Sequence, residues 1–206
     1  MVAATRILEP SAVVVLERPL TEADFWLLPD DENRYEIIGG ELYVAPPPTV
    51  DHQNASQYLS VAFYHAVEIP RRGWVRVAPI GVRLSPEDIV QPDLVVLSAE
   101  QSQRPKGKLI TDRPELVVEI LSPSNRRHDL VRKRAQYRTF AIPEYWVVDP
   151  FKGTVEVFVL VGDEYEATPD EDGVAVSQVF PAIEIDIARL FSGDPFDPAT
   201  TPSTTG

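Results

Sequence analysis

The segment Pro114–Ser124 constrains the fold more than any other stretch, because it is an apolar run with a carboxylate in its interior. Side chains alternate along a strand, so Glu119 faces the same way as Val117 and Leu121. Both faces of the segment are largely apolar, which predicts a central strand covered on both sides. A lone buried carboxylate is costly, so we expect Glu119 to be paired, hydrogen-bonded or bound to a cation.

A second short apolar run, Gln91–Ser98, carries Asp93 at its head. If the two runs form neighbouring strands, the carboxylates of Asp93 and Glu119 come close together. Carboxylate oxygens are the ligands that hard divalent cations prefer. The pair therefore predicts a metal site that takes Mg²⁺ or Mn²⁺.

Length and composition set wider bounds. The chain has 206 residues, 44% of them hydrophobic, which suits one domain, expected over residues 19–191, with a flexible arm at 1–18 and a disordered tail at 192–206. The absence of cysteine excludes disulfides, zinc–thiolate sites and thiol nucleophiles. The apolar run Ala12–Leu16 is too short to span a bilayer, so we expect a cytoplasmic protein that does not enter the membrane.

The charge distribution is uneven. The formal net charge is −13, which argues against non-specific binding of nucleic acid. Residues 126–138 are the exception, with one acid, Asp129, and six basic residues: Arg126, Arg127, Arg132, Lys133, Arg134 and Arg138. This basic helix could contact a DNA backbone, or it could be a solvated helix face that balances an acidic surface.

The remaining pattern predicts an α/β (α+β) fold. Two alternating runs, Arg34–Ile38 and Glu41–Ala45, flank Gly39-Gly40 and predict an N-terminal β-hairpin. Helical spacing follows from about residue 50 to 69, and a second helix should run from the Glu119 strand to about Phe140. Strands at 144–149, 154–160, 164–167 and 174–176 should form a C-terminal antiparallel meander.

The second predicted helix carries Lys133, a candidate partner for the two acids. Asp129, Lys133 and Tyr137 are spaced four residues apart and share one helix face. A helix that folds back on the sheet could bring Lys133 near Asp93 and Glu119. Two acids with a lysine suit metal-dependent phosphodiester cleavage, in which the cation polarises the phosphate and the amine offsets developing charge.

The ordered set of these motifs resembles the Uma family of restriction-endonuclease-like proteins, within the PD-(D/E)xK nuclease superfamily. The motifs are Pro92-Asp93, Glu119 in its strand, Asp129-x3-Lys133-x3-Tyr137 and Glu144-Tyr-Trp-Val-Val-Asp-Pro150. The resemblance extends from the hairpin near Tyr35 to the meander near Val176. It implies a mixed sheet flanked by helices, a Mg²⁺-type site at Asp93 and Glu119, DNA as substrate, and often a homodimer.

One position departs from the superfamily pattern, which has a lysine two residues after the second acid, where this chain has Leu121. The resemblance implies that the lysine has moved to the following helix, as Lys133, with Lys106 or Lys108 as alternatives. It also implies an acid in the hairpin and a histidine at the start of the next helix. Glu36 or Glu41 fits the first, and His52 fits the second.

Two functions are consistent with these features. The first is a Mg²⁺-dependent endonuclease that hydrolyses DNA, with Asp93, Glu119, Lys133, Glu36 and His52 in its active site. The second is a catalytically inactive module that keeps the nuclease fold and binds nucleic acid or a protein partner. Leu121 and the charge of −13 favour the second.

Overall fold

Three β-sheets and four α-helices make up the part of the chain that the structure describes. The structure is a computed structural model that describes residues 18–31, 33–45, 47–100, 103, 105–122 and 129–192. The helices are α1 (Glu22–Phe25), α2 (Val50–Phe63, continued by a π-helical turn Tyr64–Glu68), α3 (Arg134–Thr139, preceded by a π-helical turn Asp129–Lys133) and α4 (Ile187–Phe191). The strands are β1 (Arg34–Ile38), β2 (Glu41–Ala45), β3 (Gly73–Val77), β4 (Gly81–Ser85), β5 (Asp88–Val90), β6 (Leu94–Ser98), β7 (Leu109–Ile110), β8 (Leu116–Ile120), β9 (Glu144–Asp149), β10 (Thr154–Val161), β11 (Glu164–Thr168), β12 (Val174–Val176) and β13 (Glu184–Asp186).

The predicted mixed sheet is confirmed. Six strands pair in the order β11-β10-β9-β8-β6-β3, in which β8 and β9 run parallel and the other neighbours run antiparallel. The parallel pair needs a crossover, and the segment containing α3 makes that connection. Five other strands form a second sheet in the order β2-β1-β5-β4-β7.

The strand that carries Glu119 is central, as its apolar faces predicted. Strand β8 lies between β6 and β9 and is buried along its whole length. One of its faces packs Leu116 and Ile120 in a core that includes α2 and α4. The other face packs Val117 and Leu121 in a core that includes α3 and strands of the second sheet. Glu119 therefore points into the layer between the six-stranded sheet and the elements above it.

The Gly39-Gly40 hairpin also forms as predicted, and β1 and β2 pair along five residues. Gly39 and Gly40 have φ values of +58° and +76°, the left-handed conformation that a two-residue hairpin turn requires. Gly40 has a second constraint, because a Cβ there would lie 2.5 Å from the Cβ of Pro19. The turn fixes the register of β1, and with it the face on which Glu36 lies.

The C-terminal meander is only partly as predicted. Strands β9, β10 and β11 form an antiparallel meander. The strand predicted at residues 174–176 does not continue it, which corrects that prediction: β12 pairs instead with β13 in a separate two-stranded sheet. Strand β13 brings Ile185 into the core beneath α2, and this burial accounts for the alternative pairing.

Some predictions fall on residues that the structure does not describe. These include most of the arm at 1–18, most of the tail at 192–206, and Arg126 and Arg127 of the basic helix. Among the described helices, none is long and apolar enough to cross a membrane.

Candidate active site

Neighbouring strands bring Asp93 and Glu119 together, although 26 positions separate them in the sequence. Strands β6 and β8 pair antiparallel with Leu94 opposite Val118, so Asp93 comes just before the paired region and beside the end of β8. The backbone N–H of Asp93 donates to the carbonyl of Val118 at 3.0 Å. Its carboxylate Oδ2 accepts from the backbone N–H of Ile120 at 2.7 Å, directly after Glu119. The two acids are thus fixed to the same strand pair.

The helix after β8 supplies the lysine. Lys133 Nζ lies 3.0 Å from both carboxylate oxygens of Glu119, and each side chain is only 1% exposed. Tyr137, one helical turn later, donates its hydroxyl to Oε1 of Glu119 at 2.5 Å. Lys133 ends the π-helical turn and Tyr137 lies in α3, so both reach the sheet from one face of the helical segment. π-helical turns occur frequently at functional sites.

Leu121, which stands where the superfamily pattern has a lysine, is buried. Leu121 lies on the same face of β8 as Glu119 and packs in one core with Tyr137. An apolar residue there fills space beneath α3, and the ammonium reaches Glu119 from above. Of the two alternatives, Lys108 lines a cavity next to Asp93, described below, and Lys106 does not.

Glu36, and not Glu41, joins the cluster. Oε1 of Glu36 lies 2.9 Å from Lys133 Nζ and accepts the backbone N–H of Gln91 at 2.5 Å. Glu36 is buried, whereas the side chain of Glu41 is 48% exposed and lies 4.0 Å from Arg132. Lys133 therefore bridges two carboxylates that come from the hairpin and from the central strand.

Asp93 has its own set of partners. Arg34 donates from one guanidinium nitrogen to Oδ1 of Asp93 at 2.7 Å and from the other to the carbonyl of Gln91 at 2.8 Å. His52 places Nε2 at 3.2 Å from Oδ2 of Asp93. His52 lies in the first turn of α2, where Thr49 caps the helix by accepting the backbone N–H of His52. The first turn of α2 thereby contacts the head of β6.

These contacts shift the ionisation of the cluster. Burial raises the pKa of Asp93, but the hydrogen bond from His52 and the charges of Arg34 and Lys133 outweigh burial and lower that pKa well below its usual range. Burial and the neighbouring carboxylates raise the pKa of Tyr137 well above its usual value. Asp93 is therefore ionised and Tyr137 protonated at neutral pH.

Arg34 is a site residue that sequence reasoning did not identify. It stands two positions before Glu36 on β1, so strand alternation placed the two residues on one face. Nothing in the local pattern distinguished that face as the buried one. Strand β5, which pairs with β1 in the structure, leads directly to Asp93 and brings its carboxylate within reach of Arg34.

A cavity of about 570 Å³ leads to one side of this cluster. Its lining includes the little-exposed Asp93, Arg34 and His52 and the exposed Trp26 and Lys108. Glu36, Glu119 and Lys133 do not line it. Within the cluster, the cavity therefore adjoins Asp93, Arg34 and His52.

Only some of the basic side chains in the described part of the basic helix are exposed and available to contact DNA. Lys133 is buried, and Arg138 forms a surface ion pair with Glu164 at 2.6 Å. Arg134 stacks its guanidinium over a phenyl ring at 4.2 Å and donates to a backbone carbonyl. Arg132, about half exposed, lies over the ring of Tyr43 at 4.9 Å. Two arginines, Arg132 and Arg138, remain at the surface there.

The donor set is suited to a hard cation. Among the described residues, no three acidic or histidine side chains form a ready-made metal cage. Mg²⁺, however, keeps several waters and needs only one or two carboxylates. The three carboxylates of Glu36, Asp93 and Glu119 outnumber their two basic partners, Arg34 and Lys133. A divalent cation fits those oxygen donors.

Comparisons with known proteins identify the family and the fold of the chain. The profile of the Uma2 family, described as "Putative restriction endonuclease", matches residues 23–188. None of the curated proteins matches the chain significantly. A crystal structure of "a putative nuclease belonging to DUF820 from Anabaena variabilis ATCC 29413" is similar, with a TM-score of 0.73, 21% identity, and coverage of 85% of this chain and 99% of that one. At that identity the match shows a shared nuclease-like fold.

Proposed function

Because the chain belongs to the Uma2 family of restriction-endonuclease-like proteins, we propose that it is a Mg²⁺- or Mn²⁺-dependent endonuclease that hydrolyses DNA phosphodiester bonds. The observation that carries the proposal is the buried ammonium of Lys133, 3.0 Å from Glu119 and 2.9 Å from Glu36, beside an ionised Asp93. Burying a lysine among three acids costs desolvation free energy, because each charge loses its hydration. A functional role for the cluster accounts for that cost.

In this proposal Asp93 and Glu119 hold the divalent cation. The bound cation would supply the charge that polarises the phosphate and lowers the pKa of a bound water. Asp93 lines the cavity, and its pKa is held low, so its carboxylate is ionised at neutral pH. The backbone N–H of Ile120 keeps that carboxylate oriented.

Lys133 is proposed to stabilise the negative charge that develops on the phosphate as the water attacks. Glu36 gives the ammonium a second carboxylate partner, so Lys133 stays in place when Glu119 contributes to binding a cation. Tyr137 holds the Glu119 carboxylate by a hydrogen bond from its hydroxyl. His52 contacts Asp93 and is proposed to position it for catalysis.

A cleavage assay tests this function. Labelled single-stranded and duplex DNA would be incubated with the wild type and with Asp93→Asn, in Mg²⁺ and in EDTA. We expect Mg²⁺-dependent cleavage by the wild type and at least a hundredfold loss in the variant, since removing one preorganised charge costs about that much in rate. Glu156→Gln, an exposed acid on β10, is the matched control.

Two results would contradict the proposal. One is cleavage by wild type that persists undiminished in EDTA. The other is equal cleavage by wild type and Asp93→Asn when circular dichroism shows that both are folded. The proposal also includes a cytoplasmic location and a homodimer, and sedimentation velocity tests the dimer.

The second candidate is a catalytically inactive module with this fold. The observation that favours it is that the acids already have cationic partners, Arg34 at Asp93 and Lys133 at Glu119. Calorimetry with Mn²⁺ separates the two candidates. Heat of binding that disappears in Asp93→Asn favours the enzyme, and no binding at millimolar Mn²⁺ favours the module.

A further inference from the structure

Two of the residues that line the cavity beside Asp93 carry buried polar atoms that the described structure leaves without partners. These are Nδ1 of His52, whose side chain is 6% exposed, and Nε of Arg34. Both residues line the cavity. A buried polar group without a hydrogen bond is costly, so each native example calls for an explanation. A ligand that enters the cavity would supply the missing partners.

The lining of the same cavity also contains an exposed aromatic and an exposed basic side chain. Trp26 is 46% exposed and stands edge-on to Phe25 with ring centroids 5.4 Å apart. Lys108 Nζ lies 5.7 Å from the centre of the Trp26 ring. An exposed aromatic platform next to a lysine is what proteins use to stack a base while they contact its phosphate.

The size of the cavity limits what can occupy it. Its volume of about 570 Å³ lies within the range of small-ligand pockets, roughly 300–1,000 Å³. It can take a nucleotide unit, but a paired base remains stacked in a duplex and cannot enter. Asp30 and Asp31 also line the cavity, and their negative charge disfavours a phosphate beside them relative to one beside Arg34 and Lys108.

We infer that this cavity binds an unpaired nucleotide of single-stranded DNA, with its base on Trp26 and its phosphate directed towards Arg34 and Lys108. The inference rests on the proposed function and specifies its substrate class. Asp93 lines the same cavity, so a strand held this way lies beside the proposed metal ligand.

Binding without cleavage tests the inference. In EDTA, the whole chain would be titrated with a labelled mixed-sequence DNA single strand and, separately, with the blunt-ended duplex of that strand and its complement, and anisotropy measured. We expect the single strand to bind at least fivefold more tightly. Trp26→Ala should weaken single-strand binding about 5- to 150-fold, as stacking on one aromatic implies, and Trp26→Phe should weaken it less.

Lysine variants and fluorescence add independent measurements. Lys108→Ala should reduce the slope of log K against log salt by about 0.7, the value for one lost contact to a single strand. Binding should quench tryptophan fluorescence in the wild type and not in Trp26→Phe. Leu27→Ala and Lys106→Ala are matched controls, because each is exposed, lies beside the varied residue and does not line the cavity. Both should bind like the wild type.

The outcomes separate this inference from the proposed function. Equal or tighter binding of the blunt-ended duplex, or unchanged binding by Trp26→Ala, overturns the inference even if the protein cleaves duplex DNA in Mg²⁺. Tight single-strand binding that depends on Trp26 supports the cavity even if no DNA is cleaved, and in that case only the nuclease proposal fails.

Discussion

Removing the charge of Lys133 tests the buried cluster directly. In Lys133→Met the side chain keeps a similar length, but Glu119 and Glu36 lose the ammonium at 3.0 and 2.9 Å. Both carboxylates are nearly inaccessible to water, so neither can replace the lost charge with hydration. Breaking a buried ion pair by removing one partner typically costs about 3–5 kcal/mol.

Two features of the structure change this cost in opposite directions. Glu119 keeps the hydrogen bond from Tyr137, and Glu36 keeps the one from the backbone of Gln91, which limits the loss. The two acids, however, now repel each other across the space that the ammonium occupied. We therefore expect a loss of about 3–5 kcal/mol, which for a chain of this size lowers Tm by roughly 6–20 °C.

Urea unfolding monitored by tryptophan fluorescence, together with thermal melting, measures the effect. Lys152→Met, an exposed lysine in the turn between β9 and β10, is the control and should change stability by less than about 0.5 kcal/mol. The double variant Lys133→Met/Glu119→Gln should recover part of the loss, because one of the unpaired charges is gone. Equal stability of Lys133→Met and Lys152→Met would refute the reasoning.

Three further changes probe separate features. Tyr137→Phe removes a hydrogen bond to the Glu119 carboxylate and should lower the free energy of unfolding by about 1.5–3 kcal/mol in urea melts, with no change refuting the contact. Gly40→Ala forces a left-handed alanine whose Cβ would lie 2.5 Å from Pro19, so we expect a loss above about 1 kcal/mol by the same assay, and a neutral result would contradict the turn geometry. Burial raises the pKa of Glu144 above 4.5, so the folded state binds more protons than the unfolded state as this carboxyl titrates. The free energy of unfolding of the wild type, relative to that of Glu144→Gln, should therefore fall as pH rises from 4.5 through the raised pKa. Parallel plots of unfolding free energy against pH for the two proteins would contradict this.

Strand periodicity was sufficient to predict how Glu119 is placed. The alternation around Glu119 depends only on chemistry within one strand, and the structure confirms a central strand buried on both faces. The Gly39-Gly40 hairpin was also predictable from a few residues, because its turn requires positive φ values that glycine adopts readily. Features determined by a few consecutive residues were therefore predictable.

Features that depend on pairing between strands distant in sequence could not be predicted from local patterns. The placement of Arg34 against Asp93 follows from the pairing of β1 with β5, which no local pattern encodes. Likewise, β12 pairs with β13 because Ile185 is buried beneath α2, a contact visible only after the chain has folded. The contact of Lys133 with Glu119 lay between these cases: helix spacing gave its face, but only the path of the chain brings that face onto β8.

The central claim is that Asp93 and Glu119 share one divalent cation, and a crystal soaked in Mn²⁺ tests it most directly. We expect one anomalous difference peak in contact with carboxylate oxygens of both residues, with the Arg34 guanidinium moved away from Asp93. Soaking at millimolar Mn²⁺ that leaves both carboxylates on their present partners, with no peak between them, would contradict the account.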